Sequence, residues 1–139
     1  MFKKAKWRKA VKKAKTERKK LRDQLDKLWA ILVKLQAGGK CEKCGAIEHL
    51  NSHHIFSRSN LSVRWYLGNG ICLTAGWHIL KKESVHKSPI EFIEWLKQER
   101  GIEWYNNLRL KANQVKKWTI VEMKEKVKEF QEEIKKFQE

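Results

Sequence analysis

The sequence predicts an α+β protein that is mostly helical, with a long helix at each end and a short central segment of strands. Two observations predict the helices. Apolar residues recur at alternating steps of four and three in the N-terminal region, and they do so again in the C-terminal region. A third observation sets the centre apart, because residues 40–87 hold all three Cys and all five His of the chain. With 139 residues, 41% of them hydrophobic, the chain is expected to form one compact domain with appendages.

The first element is a basic N-terminal helix, assigned to residues 1–39. Its apolar stripe comprises Leu21, Leu25, Leu28, Leu32 and Leu35. The stripe predicts a helix from about Lys4 to Gln36, and Gly38-Gly39 ends it because glycine adopts the left-handed cap conformation at little cost. Residues 1–20 are nearly all Lys, Arg and Ala, so we expect them to project or fray in the absence of a ligand.

The charge of the chain is concentrated in this helix. Residues 1–40 carry 15 Lys/Arg and 3 Asp/Glu, a net +12 out of a total of +16. Such an excess is typical of a segment that binds a polyanion, and nucleic acid is the commonest one. The residues expected to contact DNA are Lys12, Lys13, Arg18 and Lys19. The alternatives are a binding site for anionic lipid and a helix that its lysines merely keep solvated.

The sequence also predicts the location of the protein and its relation to membranes. The longest uncharged apolar run is residues 28–33, far short of the roughly 20 residues that span a bilayer. The start of the chain lacks the hydrophobic core of a secretory signal. The odd number of cysteines favours a reducing compartment. We therefore expect a cytoplasmic protein that is not embedded in a membrane.

The third segment, residues 88–139, is predicted to be helical. Ser88-Pro89-Ile90-Glu91 starts a helix, with Ser as the cap and Pro at the first helical position, and Gly101 ends it. A shorter helix follows Gly101. Thr119-Ile120-Val121-Glu122 then forms a capping box for the last helix. Its stripe comprises Met123, Val127, Phe130, Ile134 and Phe137. The two striped end helices are expected to pack within one chain.

The segment 40–87 carries the chemistry. His53 and His54 lie on an extended run, so their side chains are expected on opposite faces of a strand, where one can bind a metal and the other can handle a proton. Asn69-Gly70 suggests a tight turn, residues 71–73 a second strand, and Trp77-His78 the start of a helix.

This order of His-His, Asn and His resembles the HNH endonucleases, the ββα-metal finger superfamily. The interval of nine residues from Asn69 to His78 matches the usual spacing of that family. The resemblance implies a ββα-metal finger over residues 40–87. The run Lys117-Trp118-Thr119-Ile120-Val121-Glu122 is similar to the end of phage NinG-type recombination proteins. HNH proteins that nick DNA beside phage packaging machinery fit as well. The location implied is then the cytoplasm of a bacterial host.

The resemblance also implies a role for each of these residues. His53 and His78 take the two metal positions, and His86 is a further ligand. His54 falls on the general base. Asn69 takes the middle position, where its side chain ties the loop to the hairpin and helps to orient the base.

Two arginines between the motifs are expected to contact DNA. Arg58, four residues after His54, is placed to hold a phosphate oxygen. Arg64 precedes Trp65, whose ring can stack on a base or a sugar, although packing is the more ordinary role of a tryptophan.

The cysteines depart from the family pattern. Many members bind a structural zinc with two Cys-x-x-Cys pairs, and this chain has only Cys41-x-x-Cys44, since Thr74 and Trp77 stand where the second pair falls. Either Cys41, Cys44, Cys72 and a histidine such as His49 bind zinc, or the thiols are buried and Trp77 fills the space.

The leading hypothesis is a metal-dependent endonuclease that hydrolyses, and more specifically nicks, DNA in phage recombination or packaging. The divalent cation is Mn, Mg, Ni, Co or Zn. A monomer would cut one strand, and a homodimer both. The alternative is a non-catalytic basic DNA-binding protein that retains the finger as a scaffold. A third interpretation, a lipid-surface or RNA-binding helix, leaves the histidines unexplained. We expect the finger to fold without residues 1–36.

Overall fold

The computed structural model describes residues 2–77 and 86–139. In chain order the elements are helix α1 (Phe2–Gln36), strand β1 (Leu50–His54), a 3-10 turn (Leu67–Asn69), strand β2 (Gly70–Thr74), and helices α2 (Pro89–Arg100), α3 (Ile102–Ala112) and α4 (Ile120–Gln138). The strands form one antiparallel pair. This confirms a mostly helical α+β protein. The helix predicted around His78 falls outside the described residues, so the ββα-metal finger stays a prediction.

The chain forms two compact units. The first comprises the chain up to Leu28 together with Trp118–Glu139, and the second comprises Trp29–Lys117. This division differs from the three segments expected from the sequence, which placed boundaries after residues 39 and 87. The reason is that the last turns of α1 belong with the hairpin, while its earlier turns belong with α4.

The first unit is built on the two striped helices. Leu25 of α1 and Met123, Val127 and Phe130 of α4 are buried, and Glu17 forms a 2.9 Å ion pair with Lys124. The predicted capping box is present: the Thr119 hydroxyl accepts from the Glu122 N–H at 3.1 Å, and the Glu122 carboxylate accepts from the Thr119 N–H at 3.1 Å. The buried residues of the two stripes are thus intramolecular core, whereas Phe137 at the end of the α4 stripe is exposed.

Helix α1 extends through the basic segment, beginning at Phe2 rather than near Lys4. Most of its first 20 side chains are exposed, including Trp7. The segment that was expected to fray is helical because Ala, Lys and Arg have the strongest helix propensities.

In the second unit the hairpin lies between two helices. On one face, the Ser52 hydroxyl donates to the Ala30 carbonyl of α1 at 2.6 Å. On the other face, Ile71 and Leu73 of β2 form a buried cluster with Phe92 and Leu96 of α2. Alternation along β2 places Gly70 and Cys72 on the α1 face. Both faces of the hairpin are therefore covered.

Helix α3 supports the long loop between the strands. Val63 of the loop is buried against Leu108 and Ala112. The Asn60 side-chain amide donates to the Ala112 carbonyl at 2.8 Å, and the Trp104 indole N–H donates to the Gly68 carbonyl at 3.1 Å. Hydrogen bonds from side chains to backbone carbonyls therefore hold the loop and α3 together.

One local prediction is wrong. Asn69-Gly70 does not make a tight turn, because Asn69 ends the 3-10 turn and Gly70 starts β2 with extended backbone (φ −111°, ψ 149°). The strands are joined instead by residues 55–69. The predicted bounds of α2 are confirmed, with Ser88 at the N-cap, Pro89 at the first helical position and Gly101 at the end, although the Ser88 side chain makes no cap hydrogen bond.

Candidate functional site

The hairpin separates the two adjacent histidines. His53 is paired with Ile71 and His54 with Gly70 in the antiparallel register. Because side chains alternate along a strand, His53 lies on the α2 face and His54 on the α1 face. Their surroundings differ accordingly.

His54 is held by α1 and by the loop. Its ring stacks on the Trp29 indole with centroids 3.8 Å apart and planes 8° from parallel. Its Nε2 lies 2.9 Å from the Arg64 carbonyl oxygen. A carbonyl only accepts, so Nε2 carries the hydrogen in this contact. The stacked indole and the carbonyl together hold the imidazole in one orientation.

His53 lies beside His86. Their ring centroids are 5.2 Å apart with planes nearly perpendicular, at 83°. The ring of Phe92 stands 6.5 Å from that of His53, also edge to face. The structure therefore brings together the first predicted metal position and the further predicted ligand. His78, the second predicted metal position, lies outside the described residues.

These histidines line one open cleft of about 670 Å³. Its polar wall includes His53, His54, Ser57, Arg58 and His86, and its apolar wall includes Ile55, Pro89, Phe92 and Ile93. Of the two predicted DNA-contacting arginines, Arg58 lines the cleft. Arg64 is directed to the loop, where its guanidinium donates to the Arg58 carbonyl at 3.3 Å. Trp65 is 3% exposed, which leaves it a packing role rather than a stacking surface.

Asn69 fastens the loop beneath the cleft. Its side chain is fully buried. Its carbonyl oxygen accepts from the Phe56 N–H at 2.7 Å, and its amide donates to the carbonyls of Phe56 at 3.0 Å and Val63 at 3.2 Å. One side chain thus joins the start of β2 to the residue two positions after His54. Asn69 does not itself line the cleft, so its part is positional.

The basic residues of α1 divide into two sets. Lys12 and Lys13 are exposed and border a shallow depression with Lys9 and Lys20. Lys19 is also exposed. Arg18 is engaged, since its guanidinium donates to the Trp118 carbonyl and approaches the Met123 sulfur at 3.8 Å. The predicted DNA contact at Arg18 therefore competes with a structural one.

The three cysteines do not share one environment. Cys41 is buried with Ile71 and Leu73, on the α2 face, whereas Cys44 is exposed. Cys72 is fully buried on the α1 face. Within residues 2–77 and 86–139, no three His, Cys, Asp or Glu side chains converge on a point that could hold a metal ion.

The pKa values of the two buried thiols move in opposite directions. Burial by itself raises the pKa of Cys41, but hydrogen bonds from the backbone of Thr74, Cys44 and Lys43 outweigh burial and lower it. Burial raises the pKa of Cys72, and the nearby charges of Glu42 and Cys41 raise it further. Cys41 is therefore the more readily ionised of the two buried thiols, and Cys72 the less readily ionised.

Sequence reasoning missed two partners of the site. Trp29 lies beside the apolar stripe of α1, and the Arg64 backbone carbonyl has no sequence signal at all. The spacing of Trp29 shows that it is buried, but not what it is buried against.

Comparisons with known proteins add no relative. No family model matches the chain. No curated protein and no solved structure matches it either. Among the described residues, no helix is both long and apolar enough to cross a membrane.

Proposed function

We propose that the chain is a metal-dependent HNH-type endonuclease that hydrolyses DNA phosphodiester bonds, one strand per active site. The observation that carries the proposal is the different treatment of two adjacent histidines at one cleft. His54 is fixed by a stacked ring and a carbonyl, as a general base requires, while His53 faces a third imidazole, that of His86. A scaffold protein has no use for this distinction.

The imidazoles of His53 and His86 would be two ligands of a divalent cation. His53 and His86 come from separate parts of the chain and face each other at the cleft, and imidazole nitrogen suits Zn, Ni and related ions better than Mg. His78 is the further ligand that the resemblance supplies. A cation bound there would act as a Lewis acid that stabilises charge on the phosphate and the leaving oxygen.

The remaining steps belong to side chains of the chain itself. His54 takes a proton from the attacking water, while the Arg64 carbonyl orients the ring and stabilises its charged form through Nε2–H. Arg58, on the same cleft, holds a phosphate oxygen. Asn69 keeps the loop that carries Arg58 in register with the strand. The products carry a 5′ phosphate and a 3′ hydroxyl.

The substrate follows from charge. The exposed lysines of α1 supply the electrostatic contribution to DNA binding, which needs no sequence recognition. In the biological setting that the NinG-like C-terminal run suggests, the substrate is phage DNA during recombination or packaging, in the host cytoplasm.

The decisive experiment is nicking of supercoiled plasmid with each of Mn, Mg, Ni, Co and Zn. His54→Ala is expected to lose cleavage by about 10²- to 10⁴-fold, the usual contribution of a positioned base, and to keep its cation affinity. His53→Ala is expected to lose cation affinity by calorimetry and to recover part of its activity in excess Mn.

His49→Asn is the matched control. His49 is exposed, lies outside the cleft and has a positive φ of 54°, which asparagine tolerates. It should nick at the wild-type rate. If His54→Ala also does so, the general-base assignment is wrong. If the wild type binds DNA but nicks with none of the cations, the scaffold alternative replaces the enzyme.

A further inference from the structure

The Trp29 indole has a more specific relation to His54 than core packing requires. The two rings are parallel within 8° at 3.8 Å, so the whole face of the imidazole is covered. Trp29 is itself fixed: it is 1% exposed, and its indole N–H donates to the Tyr66 carbonyl at 3.1 Å. A rigid plane therefore sets the plane of the imidazole.

A second contact sets the rotation of the imidazole within that plane. The Arg64 carbonyl oxygen lies 2.9 Å from Nε2 of His54. Two residues further along the chain, the Tyr66 carbonyl accepts the hydrogen bond from Trp29. Residues 64–66 thus anchor both rings through their backbone. Stacking and hydrogen bonding together leave the imidazole one orientation and one tautomer.

Gly70 makes room for this arrangement. It is the register partner of His54, and a Cβ at position 70 would lie 2.9 Å from the Trp29 ring and 2.4 Å from a Val33 methyl. Only a residue without a side chain lets the indole approach the hairpin this closely. The backbone of β2 is therefore fitted to the indole, which an interchangeable core residue would not need.

We propose that Trp29 is a positioning residue for the reaction: it holds the His54 imidazole in one plane and one tautomer at the cleft. This inference rests on the proposed function, since it gives His54 the part of the base. Helix α1 thereby contributes to the active site as well as to DNA binding. Misplacing a catalytic group by about 1 Å can cost 10²-fold in rate, so the indole has a measurable kinetic role.

The test compares Trp29→Leu with Trp29→Phe. Leucine keeps an apolar contact but no ring face, and we expect kcat for plasmid nicking to fall by about 10- to 100-fold with KM nearly unchanged. Phenylalanine restores a stacking face and should recover most of that loss. Leu32→Ala, a fully buried position one turn away on α1, is the control for loss of core packing. It should lose stability while keeping kcat at a temperature where it is folded.

A readout independent of activity accompanies the kinetics. The ¹⁵N chemical shifts of the His54 ring report which nitrogen carries the hydrogen. We expect Nε2–H in the wild type and in Trp29→Phe, and a mixture of tautomers in Trp29→Leu, each protein being first shown to be folded by circular dichroism.

The outcomes separate the two proposals. A wild type that nicks DNA, combined with a Trp29→Leu protein that keeps both its kcat and the Nε2–H tautomer, overturns the positioning role and leaves the endonuclease intact. A loss of kcat that phenylalanine does not recover, or that Leu32→Ala matches, also overturns it. If the folded wild type fails to nick DNA with every one of the five cations, the proposed function is overturned, and the positioning role with it.

Discussion

At the scale of single residues, side chains that bond to the backbone decide how the hairpin and its loop are held. The side chains of Asn69, Glu42 and Ser52 each bond to backbone groups of another segment rather than to one another. Backbone groups away from water are costly when unpaired, so each of these side chains fixes a loop or helix in one position.

Asn69→Ala is expected to destabilise the protein by about 2–4 kcal/mol, because the Phe56 N–H and the Phe56 and Val63 carbonyls lose their shared partner. Urea unfolding measures the loss. Asn106→Ala, at an exposed position of α3, is the control and should change stability by less than about 0.5 kcal/mol. Equal effects of the two variants would contradict the account of the loop.

The raised pKa of Cys72 predicts a contribution to alkaline unfolding. The thiol ionises more readily in the unfolded chain than in the folded one, so its stabilising contribution is complete below the ordinary thiol pKa and is lost as pH rises toward the folded value. Cys72→Ala removes that dependence. Between pH 8 and 10 the free energy of unfolding should fall less steeply in the variant than in the wild type, by up to about 1.4 kcal/mol per pH unit. If the free energy of unfolding falls equally steeply with pH in both proteins, the pKa of Cys72 is not raised in the folded state.

At the scale of elements, close approach between α1 and the hairpin is the critical contact. The sequence predicts both elements and gives no sign that they touch. Gly70 was interpreted as a turn residue, but in the structure its missing side chain is what admits Val33 and Trp29. The dipeptide Asn-Gly looks the same in the sequence whether its glycine forms a turn or makes room for a neighbouring helix.

Gly70→Ala should therefore destabilise the protein by about 1–3 kcal/mol through overpacking. Val33→Ala removes the nearest clashing methyl, so the double variant Gly70→Ala, Val33→Ala should be more stable than the sum of the two single effects predicts. Thermal unfolding of all four proteins gives the coupling. Strict additivity would mean that the clash is not relieved at Val33.

The capping box of α4 was predicted from sequence alone and confirmed. Thr119→Ala should cost about 1 kcal/mol, because the Glu122 N–H loses its acceptor. Thr16→Ala in the middle of α1 is the matched control. It removes only a bond to the Lys12 carbonyl, and alanine favours the helix there, so stability should hold or rise slightly.

At the scale of the whole molecule, the positive charge is concentrated in α1, and the chain topology determines which pieces fold together. Residues 29–36 belong to the unit that contains the hairpin, with Trp29, Ala30 and Val33 in contact with it. The expectation that the finger folds without residues 1–36 is therefore at odds with the packing. Charge substitution tests the basic helix better than deletion does.

Lys9, Lys12 and Lys13 changed together to Gln should weaken duplex binding and lower the slope of log K against log salt by about 0.9 for each phosphate that the variant no longer neutralises. The control changes three exposed lysines of the C-terminal region, Lys117, Lys128 and Lys135, to Gln, so the net charge is equal. Fluorescence anisotropy over a range of salt concentrations compares the two. If both triple variants bind alike, net charge rather than the basic face of α1 drives binding.

The sequence by itself determined the helices, the strands, the capped start of α4 and the residues with chemical potential. These features depend on periodicity, propensity and local hydrogen bonding, all of which act between near neighbours in the chain. Only the tertiary structure decided that His53 meets His86 and that His54 stacks on Trp29. Those pairings depend on which faces of separate elements are buried together, and residues 25 to 33 positions apart leave no local pattern that encodes such contacts.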